Sequence, residues 1–153
     1  MGPRGAALER VLEEHHRKLE RLYRAAPTNV YYRPTISIGE GIAEIQIDVR
    51  SDFFHAAAAV HGSVYFKLLD DAGFFAANSM VPDVMVLTAN FTLYFLRPVA
   101  SGALTARGKL LSSGGRQFVA EAQLFNNDSQ LIAHGTGTYV RSKIALGPDL
   151  SYE

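Results

Sequence analysis

The chain has no cysteine, which excludes disulfides, thiolate nucleophiles and Cys-type zinc sites, and is compatible with the cytoplasm. It also has no net charge, 15 Lys and Arg residues balancing 15 Asp and Glu. Neither nucleic acid nor an anionic membrane surface is therefore expected as a partner. Long hydrophobic runs are missing as well. Lys67, Asp70 and Asp71 break one apolar stretch, and Pro82 and Asp83 break the next, so none reaches the roughly 20 residues that span a bilayer. The segment from Met1 to Pro27 is charged throughout and lacks the apolar run and cleavage site of a signal peptide, so a cytoplasmic location is expected. No set of His, Asp and Glu shows metal-ligand spacing, and no metal is expected.

What remains is the composition of one globular domain: 153 residues, 48% hydrophobic and 20% charged, without a repeat or low-complexity linker. Leu8, Leu12, Leu19, Leu22 and Tyr23 recur at helical spacing, predicting an amphipathic helix over Ala6 to Arg24 that ends at Pro27 and Asn29. Two strands are expected next, Tyr31 to Ile38 and Gly41 to Val49, joined by Gly39-Glu40-Gly41. The mostly apolar segment from Gly62 to Met80 predicts a helix enclosed on most sides, limited by Pro82. Four strands follow: Met85 to Leu96, Gly102 to Ser112, Arg116 to Asn126 and Leu131 to Ser142. This order predicts an α+β fold, an antiparallel sheet wrapped around one long helix, with an extra N-terminal helix. The expected divisions are a helical extension over 1–28, a central domain over 29–143 and a tail over 144–153.

The chemistry centres on His61-Gly62-Ser63 and on Asp70, an acid inside an otherwise apolar helix. A helix opening at His-Gly offers free backbone N–H groups that can hold a carbonyl oxygen or an oxyanion. Asp70, two turns further on, is a candidate base or nucleophile; the competing reading is a buried structural acid paired with backbone or Arg. Eight residues of helix put Gly62 and Asp70 about 12 Å apart. That is too far to act on one carbonyl, so a site using both must borrow one from a partner subunit. Asp71, turned about 100° away, reads as solvent-facing or interfacial. His61 reads as shaping the turn, His134 as a packed or surface residue, and His15 and His16 as a solvated face.

These residues carry a resemblance to the hotdog-fold acyl-CoA thioesterases, in particular the phenylacetate-pathway and 4-hydroxybenzoyl-CoA type II group. It covers roughly Tyr31 to Ser142 and rests on four features: His61-Gly62-Ser63 in place of His-Gly-Gly, Asp70, the strand Thr88 to Pro98, and the closing Ala133-His134-Gly135-Thr136-Gly137-Thr138-Tyr139. The resemblance implies a hotdog fold, subunits joined edge to edge as a homodimer or a dimer-of-dimers homotetramer, and active sites in the interface. It implies acyl-CoA hydrolysis with no cofactor, coenzyme A being part of the substrate. It places Asp70 on the catalytic carboxylate, Gly62 on the carbonyl-polarising amide and Thr88 on a hydroxyl that helps place water.

His55 stands where many relatives carry Asn, and Ser63 where they carry a second Gly; these are the two departures. His61, Ser63 and Arg116 are candidate substrate-binding residues. Arg116 follows the Gly114-Gly115 turn and, of Arg97, Arg107, Lys109, Arg116 and Arg141, is best placed to meet coenzyme A phosphates. Phe53, Phe54, Phe74, Phe75 and Met80 are candidates for the acyl pocket or for the core. Two other functions fit: a hotdog hydratase or dehydratase pairing His55 or His61 with Asp70 on 3-hydroxyacyl thioesters, and a non-catalytic acyl-CoA-binding module. Loss of an enoyl group without thiol release marks the first, and tight coenzyme A binding without turnover the second.

Overall fold

The long helix predicted from Gly62 organises the molecule. In the computed structural model, which describes residues 2–153, it is α3 (Gly62–Asn78), preceded by α1 (Pro3–Ala25) and α2 (Pro27–Tyr32). Six strands complete the fold: β1 (Thr35–Gly39), β2 (Ile42–Asp48), β3 (Val84–Phe95), β4 (Ala103–Ser113), β5 (Gln117–Phe125) and β6 (Leu131–Ala145). They form one sheet in the order β1-β2-β4-β5-β6-β3, each neighbouring pair antiparallel. The alternation along β2 buries Ala43, Ile45 and Ile47 and exposes the residues between, so a single face of the sheet meets the helix. Small residues let α3 lie close: Ala106, Ala120 and Ala122 are buried, and a side chain at Gly108 would collide with the backbone carbonyl of Ala72. Leu68, Leu69, Ala72 and Ala76 of α3 join Leu19, Leu22 and Tyr23 of α1 in the main core cluster. No helix among the described residues is long and apolar enough to cross a membrane.

Three features differ from expectation. The strand expected from Tyr31 begins only at Thr35, because Pro27 starts a second short helix, closed at Arg33 in the left-handed region (φ 53°). Proline at a first helical position has its φ already set for the helix, so it can start one as readily as it ends another. The predicted solvated face of α1 is instead its docking face. His15 and His16 are 3% and 6% exposed, and their Nε2 atoms lie 2.8 Å and 3.1 Å from the carbonyls of Asn78 and Ser79. Those carbonyls end α3 and need external donors. Buried Glu20 accepts from the Ile38 amide at 2.9 Å and pairs with Arg17 at 3.0 Å, while Leu8, expected on the apolar face, is 62% exposed. Thirdly, β6 continues past position 143 to Ala145. The Tyr152 hydroxyl beyond it lies 2.7 Å from His15 Nδ1.

Candidate active site

Asp70 faces the sheet from the middle of α3. Thr88 donates its hydroxyl to the carboxylate at 3.0 Å from Oδ1 and 3.3 Å from Oδ2. The Tyr139 hydroxyl lies 3.3 Å from Oδ1 and 3.2 Å from the Asp70 backbone carbonyl. The β3–β6 register shifts between Thr88 and Asn90, a bulge of the kind that re-aims a side chain. Partial burial raises the Asp70 pKa above the ordinary carboxylate value, with Asp71 adding to the rise. The hydrogen bonds from Thr88 and Tyr139 and the charge of Lys67 work the other way. Asp71 is not a solvent-facing residue: half-buried, it accepts from the Tyr23 hydroxyl at 2.9 Å and pairs with Lys67 at 2.7 Å. Its 100° offset from Asp70 turns it towards α1, which covers that side of α3.

The start of α3 forms a second constellation. His61 caps the helix, its Nδ1 accepting from the Ser63 N–H at 3.0 Å with the Ser63 hydroxyl 2.8 Å away. Ser63 is outside the left-handed region, so a side chain here strains nothing, and its hydroxyl adds a bond to the cap. The Gly62 N–H has no hydrogen-bond partner among the described residues. Gly62 lies close under the Phe95 ring, which a Cβ there would approach to 2.8 Å unless the ring shifted. Gly62, His55, Tyr65, Phe95 and Arg97 line a cavity of about 390 Å³. His55 sits in a loop closed by the Phe54–Val60 bridge, its Nδ1 accepting from the Ala57 N–H at 3.0 Å. With Nδ1 committed as an acceptor, the neutral ring carries its proton on Nε2 and can only donate there.

The structure thus brings Asp70 to Thr88, and Gly62 to His55, His61 and Ser63, as two separate clusters at different points of one helix. Arg116 joins neither within one chain. Its carbonyl accepts from the Arg141 N–H at 3.0 Å, and Arg141 pairs with Val86. The turn therefore lies at the Val86 end of β3, roughly 30 Å of strand from Phe95. His134 is half-buried on the outer face, 3.6 Å from Glu121. Phe53 and Phe75 are core, Phe54 and Phe74 pack against it, and Met80 is exposed. No His, Cys, Asp and Glu group among the described residues could hold a metal. Sequence reasoning missed Tyr139, Tyr65 and Phe95 as site residues. The available signal was the alternation Gly135-Thr136-Gly137-Thr138-Tyr139, whose bare positions leave room for rings.

Residues 58–133 match the family model described as Thioesterase superfamily. The chain belongs to that family. A Saccharolobus solfataricus protein provisionally named an esterase is 24% identical over 137 residues, 88% of this chain and 94% of its own. The acyl-coenzyme A thioesterase PaaI of Escherichia coli is 28% identical over 99 residues, 64% of this chain and 69% of that one. The solved E. coli PaaI structure superposes with a TM-score of 0.80 at 23% identity, covering 88% of this chain and 98% of that one. A Haemophilus influenzae thioesterase gives 0.72 at 21%, covering 78% and 85%. The curled sheet around α3 is accordingly the hotdog fold, and this thioesterase-superfamily protein is a thioester hydrolase. The family match spans Gly62, Ser63, Asp70, Thr88 and Arg116 and leaves His55 and Tyr139 outside it.

Proposed function

We propose that this thioesterase hydrolyses acyl-CoA thioesters in a site completed between two copies of the chain. The observation that carries the reading is the Asp70 carboxylate, half-buried in an apolar helix and held by the Thr88 hydroxyl at 3.0 Å. Asp70 takes a proton from water as it adds to the thioester carbon, or attacks that carbon itself to form an anhydride that water then opens. The tetrahedral oxyanion is met by the Gly62 N–H and the His55 Nε2–H. Collapse breaks the C–S bond; in the general-base route the proton returns from Asp70 to the departing thiolate, and in the anhydride route the thiolate leaves first and its proton comes from the water that opens the anhydride. The products are free acid and coenzyme A. His61 and Ser63 hold the start of α3 around the substrate carbonyl.

About 12 Å of helix separates the two half-sites, so one carbonyl must meet Gly62 of one copy and Asp70 of the other. β3 supports the pairing: it is an edge strand of 12 residues with Leu87, Tyr94 and Phe95 exposed, a surface that native proteins seldom leave unpaired. Two-fold antiparallel pairing reverses the strand, bringing the Phe95 end of one copy towards the Thr88 end of the other. Arg116 of the second copy then lies on the Gly62 side, in keeping with a phosphate-binding role.

A panel of acyl-CoA thioesters assayed by thiol release tests the proposal. Asp70→Asn is expected to lower kcat by about 10²- to 10⁴-fold, the range for a general base. Unchanged turnover in that variant sinks the assignment.

A further inference from the structure

We infer that Tyr139 is a positioning residue for the thioesterase reaction, its hydroxyl holding the Asp70 carboxylate in the rotamer that faces substrate. The inference rests on Asp70 being the catalytic carboxylate and adds a residue that neither the family match nor the sequence motifs assign.

The placement of Tyr139 is built rather than incidental. Its side chain is 0% exposed, lying against Phe74 edge to face at 6.0 Å between ring centroids. Two glycines make the slot it occupies. A side chain at Gly73 of α3, or at Gly137 two residues earlier on β6, would overlap the Tyr139 hydroxyl. Each glycine destabilises its element relative to alanine. The room they create is where the phenol oxygen sits. From there it lies 3.3 Å from Asp70 Oδ1 and 3.2 Å from the Asp70 carbonyl. One proton serves two acceptors, and the ionised carboxylate is the stronger of them.

The electrostatics fit a fixed donor. Burial, with Asp70 and Asp71 nearby, pushes the Tyr139 hydroxyl far above the ordinary phenol range, so it keeps its proton whenever Asp70 is charged. Asp71 and Lys67 face Asp70 from its own helix, Thr88 from β3 and Tyr139 from β6; Tyr23 of α1 reaches only Asp71. Thr88 and Tyr139 thus supply the hydroxyl bonds that favour the anion against desolvation. Both donate to Oδ1, leaving only the longer 3.3 Å Thr88 bond on Oδ2, the oxygen freer to meet water or the thioester carbon.

Tyr139→Phe removes the oxygen and keeps the ring that fills the slot. Loss of one hydrogen bond to the charged form should move the acid limb of the kcat–pH profile up by about 0.5–1 pH unit. At neutral pH kcat should fall about three- to tenfold with KM within twofold. Site-specific replacement of Tyr139 by 3-fluorotyrosine, whose phenol is a stronger donor, should move the acid limb down instead. This second variant preserves the shape of the slot and carries the test if the phenylalanine variant does not fold. An acid limb unmoved in either variant, with Asp70→Asn inactive, overturns the role of Tyr139 and leaves Asp70 in place. An active Asp70→Asn enzyme overturns the proposed chemistry itself.

Discussion

His55 illustrates how a single residue's role is decided by which of its atoms is already engaged. A histidine lining the cavity beside Gly62 is compatible with a base, a donor or a passive wall. The 3.0 Å bond from the Ala57 N–H to Nδ1 leaves Nε2–H as the group free for substrate, chemically close to an asparagine amide N–H. His55→Asn is therefore expected to retain kcat within about threefold, and His55→Leu to lose about 10- to 100-fold, somewhat less than loss of a principal oxyanion donor. Steady-state kinetics on the best acyl-CoA substrate checks this. Equal losses in both variants would argue against donation. Asp70 shows the same logic in reverse: an acid in an apolar helix is held by the hydroxyls of Thr88 and Tyr139, which bind it without neutralising it as Arg would.

At the level of elements, α1 closes the end of α3 through polar groups. His15 donates to Asn78 O, meets the Tyr152 hydroxyl and lies 5.7 Å from the His16 ring. Burial holds the His15 pKa below its ordinary value, with His16 adding to the depression and the Asn78 bond opposing it. A base with a depressed folded pKa favours the native state above the unfolded value of about 6.5. That contribution is lost as pH falls through the folded pKa, because the unfolded chain then binds more protons. Urea unfolding monitored from pH 7.5 down to pH 5 should thus show stability falling. His15→Gln, which can still donate to Asn78 O but does not titrate, should be less stable at pH 7.5 and fall less steeply. Parallel curves would remove His15 from the acid response.

At the scale of the whole molecule, the separation of Gly62 from Asp70 makes assembly a kinetic question. Gly62→Pro deletes the free N–H at a first helical position, where proline is tolerated, and the largely exposed Phe95 ring has room to move off the added atoms. Chains carrying Gly62→Pro and chains carrying Asp70→Asn should each be nearly inactive. Co-refolded in equal amounts, they should recover about a quarter of wild-type activity, since half the dimers are mixed and each mixed dimer keeps one intact pair of half-sites. A site contained within one chain would recover none, so the mixing assay separates the two arrangements. The same mixture on a sizing column should run as a dimer.

Much of this was legible in the sequence, because local signals were consistent with one another. The alternation in β2, the turn residues between strands and the apolar span from Gly62 yield the element order and the α+β class. His61-Gly62 with Asp70, two turns apart, yields the candidate residues and the separation on which the two-subunit proposal rests. Tertiary structure decided what depends on partners distant in the chain. His15 and His16 look solvated because a helical pattern records hydropathy, whereas their burial is stabilised by unpaired carbonyls at the end of α3, as that of Glu20 is by an amide of β1. Tyr139 reads as a strand aromatic until Gly73, 66 residues before it in the chain, opens the slot that lets its hydroxyl reach Asp70. Sequence determined which groups the molecule has and in what order. Only the packing of α3 against β3 and β6 decided which groups meet, because a hydrogen bond is set by distance in space and not by spacing along the chain.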